Sequence, residues 1–154
     1  MNFINVETYE ELSKKAIDLK GCILKVNMVL AGKQQESQST PAEVGAKTAE
    51  VLRNHVPAEL AGVVFLSGGQ TVEQATNNLA AIVQHGPFPW PVTFSFARAL
   101  QDPALYAWVG DNNNVEAARQ AFLERLKANV NSQEQEADIT EPQEPEATEE
   151  SVEE

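Results

Sequence analysis

The sequence predicts an α/β fold built on a short parallel sheet, a β/α barrel with too few strands to close. Three observations carry this reading. Short apolar segments at residues 22–30, 62–66 and 92–96 alternate with segments of helical spacing, in the order α-β-α-β-α-β-α-α. Strands separated by amphipathic helices imply right-handed crossovers and therefore parallel pairing. A closed β/α barrel needs eight strands and typically about 250 residues, whereas this chain has 154 residues and only about three βα units.

Each element has its own signal. Residues 7–19 place Tyr9, Leu12, Ala16 and Leu19 on one helical face, with charges opposite. Residues 22–30 read as a strand, although Lys25 stands in the middle of it. Thr40, Pro41 and Glu43 combine a cap, a first-turn proline and a capping-box acid, which starts a helix running to about Asn54. Pro57 breaks that pattern, and residues 62–66 form the second strand. Thr71 and Gln74 repeat the capping box and open a helix through Ala75, Leu79, Ile82 and Val83. Residues 86–91, with three prolines, make a stiff connection to a third strand at 92–96. A helix through Ala99, Leu100, Leu105 and Trp108 follows, then a last one from Val115 to about Val130.

Charge divides the chain in two. The net charge is -12; ten of the 23 acidic residues and none of the 11 basic ones lie at 133–154, which leaves residues 1–132 near -2. The expected organisation is one α/β unit at 1–132 and a disordered acidic tail at 133–154. The tail is too poor in large apolar residues to offset the entropy of ordering it. The absence of a basic cluster argues against nucleic-acid binding, and no run is long enough to span a membrane. The single cysteine, Cys22, excludes a disulfide framework and points to a reducing, cytoplasmic compartment. His55 and His85 lack companion ligands, so no metal site is expected and each reads as a polar residue near a helix end.

Three places could carry chemistry. Strand alternation puts Ile23, Lys25, Asn27 and Val29 on one side and Cys22, Leu24, Val26 and Met28 on the other. The second set is apolar and suits packing under helices; the first suits a barrel interior. A desolvated lysine there loses its proton more readily and can attack a carbonyl to form a Schiff base. A snorkelling, edge-strand or acid-paired lysine is the more frequent explanation of such a residue. The second place is Ser67-Gly68-Gly69 between a strand and a helix start, either a phosphate cradle or an ordinary βα turn. The third is Ser95 with Arg98 just past the last strand, where a guanidinium can clamp a phosphate or simply lie on a helix surface. Barrel enzymes often hold phosphate with the loops after strands seven and eight.

Taken together, these residues resemble the C-terminal portion of a class I fructose-1,6-bisphosphate aldolase. The resemblance runs from about Leu19 to Asn129 and rests on LKVNMV at 24–29, FLSGGQ at 65–70, TFSFARALQ at 93–101 and ALYAW at 104–108. It implies the last three βα units of a TIM (β/α)8 barrel. It implies Lys25 as the Schiff-base nucleophile, with Ser67, Gly68, Gly69, Ser95 and Arg98 binding fructose 1,6-bisphosphate or dihydroxyacetone phosphate, and no metal or other cofactor. Homo-oligomers are compatible with it.

The chain also departs from the family pattern. Val26 replaces a usual proline, Ala97 replaces a usual glycine before the arginine, and the terminal tyrosine of animal members is absent. The acids and second lysine that the family draws from earlier strands have no counterpart in residues 1–20. Two readings follow: an aldolase present as its C-terminal portion, either a truncated gene product or one half of a split enzyme completed by a complementing N-terminal barrel chain, or a noncatalytic remnant or phosphate-sugar-binding protein.

Overall fold

Strands β1 (Ile23–Val26), β2 (Gly62–Phe65) and β3 (Val92–Phe94) pair in that order as one parallel sheet. The computed structural model describes residues 2–32 and 34–134. Among the described residues, five α-helices accompany the sheet: α1 (Asn2–Lys14), α2 (Pro41–His55), α3 (Val72–Val83), α4 (Arg98–Trp108) and α5 (Val115–Glu134). Element order and parallel pairing are those expected from the alternating pattern.

Register and alternation give the sheet two unlike faces. Val26, Phe65 and Phe94 form one cross-strand row, and Lys25, Val64 and Thr93 form the row before it. Adjacent rows point to opposite sides. The Val26 row faces the helices, where Phe65 and Val63 are fully buried among Val44, Leu52, Leu79 and Ile82. On the other face Lys25 is exposed and Ile23 is 65% exposed. The apolar set of the first strand therefore packs under helices as alternation requires.

The helix starts obey their local chemistry. Thr40 accepts from the Glu43 amide while the Glu43 carboxylate accepts from the Thr40 amide, and Thr71 and Gln74 repeat the arrangement. The backbone bond from Thr40, then its hydroxyl, hold the Glu43 carboxyl below the ordinary carboxylate value. Helices α2 and α3 approach closely at Gly45, where a Cβ would lie 2.7 Å from the Ala81 carbonyl oxygen. Trp90 closes the stiff connection by donating its indole N–H to the Pro57 carbonyl at 3.0 Å and stacking on Phe88.

Several boundaries differ from the sequence expectation. The first helix ends at Lys14 rather than near residue 19, because Ala16 takes a left-handed conformation (φ 54°) and closes a Schellman turn. Asp18 then caps a 3-10 turn, Leu19–Gly21, whose first residue still enters the core. Strand β1 stops at Val26, four residues early. The Met28 amide donates to the Asn27 side chain and the Val29 amide to Thr48, so neither joins the ladder. Strand β3 is likewise cut to three residues. Helix α5 continues to Glu134, so residues 133 and 134 belong to its last turn. The rest of the expected tail, 135–154, lies outside the described residues.

A polar ladder seats α5. Asn129, with no exposed surface, accepts from Thr76 of α3 at 2.9 Å and donates to the Arg125 carbonyl. One turn further, Gln133 donates to the Val92 carbonyl and accepts from the Thr93 hydroxyl. Val92 faces away from β2, since its neighbours Pro91 and Thr93 face it. Gln133 therefore satisfies a carbonyl on the open edge of the sheet.

Candidate active site

Parallel pairing brings the carboxyl ends of all three strands to one end of the sheet, where ligands of open α/β sheets bind. Lys25 is the penultimate residue of β1 and projects from the face away from the helices. Ser67, Gly68 and Gly69 follow β2, and Ser95 follows β3 on the same face as Thr93. Arg98 is the first residue of α4. All six residues singled out from sequence thus belong to this end of the sheet.

The glycine segment is a tight turn. The Gln70 amide donates to the Ser67 carbonyl at 3.1 Å, and Gly69 has φ 81° at the position that requires it. At Gly68 a Cβ would meet only a Leu66 methyl, at 2.8 Å, the mobile end of a side chain that can turn aside. Ser67 is buried, whereas Gly69 is exposed. The turn leads straight into the N-terminus of α3, whose dipole favours an anion.

The third strand end is built differently. Helix α4 has no side-chain cap, so the amides of Arg98 and Ala99 lack a capping side chain, while the Leu100 amide bonds back to the Ala97 carbonyl at 3.0 Å. Ala97 has φ -99°, a value any residue adopts. The glycine usual at this position in the resembled family is thus not needed for backbone conformation here. Arg98 is exposed, and no hydrogen bond or ion pair among the described residues engages it or Lys25.

Lys25 is solvent-exposed on the edge strand β1, which is the edge-strand alternative the sequence left open beside a barrel-interior position.

A cleft of about 390 Å³ with a mixed, mainly apolar lining opens between the ends of β1 and β2; Met28, Leu30 and Val44 line it together with Asn27, Gln70 and Asn78. Sequence reasoning passed over Gln70 and Asn78. Their signal was present: Asn78 is an amide on the otherwise apolar face of α3, between Ala75 and Ile82. A larger apolar groove of about 580 Å³ lies between α4 and α5, but none of the strand-end residues lines it. Among the described residues no cluster of side chains suits a metal ion.

The family model for fructose-bisphosphate aldolase class-I matches residues 2–154. The chain belongs to that family. It is a family of lyases, and the α/β fold with its small parallel sheet agrees with membership. A fructose-bisphosphate aldolase of Plasmodium falciparum is 46% identical over 121 residues, 79% of this chain and 33% of that protein. The cytosolic aldolase 4 of Arabidopsis thaliana is 48% identical over 122 residues, 79% of this chain and 31% of its own length. A solved Plasmodium falciparum aldolase, in complex with TRAP and a small-molecule inhibitor, superposes with a TM-score of 0.83 at 42% identity. That match covers 86% of this chain and 38% of the solved one. The chain thus spans about a third of the length of the curated aldolases it matches.

Proposed function

We propose that this chain carries the Schiff-base strand and the phosphate-gripping end of an aldolase site, as the last three βα units of a (β/α)8 barrel. The site is complete only when a polypeptide supplying the remaining strands closes around it. The observation that carries this reading is the placement of Lys25, Ser67–Gly69, Ser95 and Arg98 at one end of one parallel sheet.

In this reading the Lys25 Nζ attacks the keto carbon of fructose 1,6-bisphosphate and water leaves, giving a protonated imine. The bond between carbons 3 and 4 then breaks as its electron pair moves into the iminium and the carbon-4 hydroxyl proton passes to a base. Glyceraldehyde 3-phosphate departs, the enamine takes a proton, and water hydrolyses the imine to dihydroxyacetone phosphate. The iminium is itself the electron sink, so the chemistry calls for no metal. Ser67, the Gly68–Gly69 amides, Ser95 and Arg98 hold phosphate. The base and proton donors come from the closing strands. The setting is the cytosol, as for the Arabidopsis relative.

The exposure of Lys25 favours a second reading, in which the chain binds phosphorylated sugars without forming the imine. One experiment separates them. The folded chain is treated with dihydroxyacetone phosphate and borohydride, and the reduced adduct is mapped by mass spectrometry. Labelling of Lys25, lost in Lys25→Ala, supports the Schiff-base role. Labelling confined to other lysines overturns it, and Arg98-dependent ligand binding without trapping establishes the binding-only reading.

A further inference from the structure

Two segments of the proposed site, the end of the lysine strand and the glycine turn, come from separate βα units. One side chain bridges them. Gln70 donates its Nε2–H to the Met28 sulfur at 3.6 Å, and its Oε1 accepts from Asn78 Nδ2 at 2.7 Å. Met28 is 1% exposed and stands three residues after Lys25; Asn78 is 5% exposed on α3. A thioether is a weak acceptor, so the geometry needs an explanation beyond the energy of one bond. Asn78 supplies it: by donating to the oxygen, it leaves the amide nitrogen of Gln70 turned toward the sulfur. The Gln70 backbone also closes the glycine turn on Ser67. A single residue therefore shapes the turn through its main chain and joins it to β1 through its side chain.

We infer that Gln70, oriented by Asn78, is a positioning residue that sets the glycine turn against the lysine strand. It fixes the spacing between the phosphate grip and the nucleophile. This rests on the Schiff-base reading for its purpose but not for its existence as a tether. The Val29 amide, bonded to Thr48 at 3.0 Å, reports the lysine-strand side of the tether, and the residue-70 amide reports the turn.

The test uses the full chain and the variants Gln70→Leu and Met28→Leu, the latter a near-isosteric swap that cores accept. Amide hydrogen exchange at residues 29 and 70 should accelerate together, roughly three- to tenfold in Gln70→Leu, the worth of one neutral hydrogen bond. The factor should be smaller in Met28→Leu, which removes only the weak thioether acceptor. The Val56 amide, bonded to Leu52 at the end of α2, serves as the unmoved control. Acceleration on one side alone, or on neither, overturns the tether whatever the chemistry of Lys25. The substrate arm compares borohydride trapping of dihydroxyacetone phosphate with that of unphosphorylated dihydroxyacetone. Gln70→Leu should shrink the preference for the phosphorylated ligand by a similar factor. An equal loss for both ligands, or an intact preference, overturns the positioning role. Failure of the unaltered chain to trap either ligand defeats the Schiff-base reading, while the exchange pattern still decides the tether.

Discussion

At the scale of single residues, the exposed Lys25 and the buried Tyr9 hydroxyl show how far environment governs chemistry. Lys25 has the residue type and strand position of a nucleophile, yet nothing around it removes water. Tyr9 is the converse, since its hydroxyl is buried and lacks a partner among the described residues. Burial first, then the neighbouring Cys22, push its ionisation above the ordinary value of 10.0. Because the unfolded chain releases this proton earlier, the contribution of Tyr9 is full below about pH 10 and is lost as pH rises beyond it. Tyr9→Phe breaks no hydrogen bond, so it should be neutral or slightly stabilising at pH 7. It should also gain on the unaltered protein between pH 10 and 11, as read from urea midpoints. A clear loss at pH 7 would reveal a partner for the hydroxyl. Gly69 belongs to this scale too, because its φ of 81° is what lets the turn close.

At the scale of elements, local signals placed the capped helix starts well, and the bounds of α1 and the strand ends poorly. The capping boxes at Thr40 and Thr71 were legible because each is an interaction within four residues. The end of β1 was not, because it depends on Thr48 of another element taking the Val29 amide. The length of α5 depends similarly on Asn129 and Gln133 finding partners on α3 and β3. Packing between α2 and α3 is limited by Gly45, whose sequence context says nothing of the Ala81 carbonyl against it. A methyl there must push the helices apart. Gly45→Ala should therefore cost about 1–3 kcal/mol despite its better helix propensity. Chemical denaturation measures this, and a stabilised variant would show that the helices separate freely.

At the scale of the whole molecule, the unit holds half of an idea about catalysis. Its helix-covered face is a finished core, while its other face leaves Ile23 and Lys25 exposed, with Val64 half-buried and Thr93 held by Gln133 of α5. General acid–base groups typically contribute about 10²–10⁴-fold to rate, and the described strands supply none beside Lys25. The isolated chain should cleave fructose 1,6-bisphosphate at least about a hundredfold more slowly than an intact relative, in a coupled assay for triose phosphate. On the proposed reading, addition of a polypeptide carrying the other five strands of a (β/α)8 barrel should restore turnover. Full activity of the chain alone, abolished by Lys25→Ala, would show that the exposed face is a working site. The sequence by itself determined the order of elements, the parallel sheet, the helix caps and the six residues at its strand ends, because periodicity and short-range hydrogen bonding are written locally. Tertiary structure alone decided that Lys25 meets solvent, that Gln70 and Asn78 join two loops, and that Gln133 covers the open edge of β3. Those outcomes depend on which distant groups are brought near, and no local pattern encodes that.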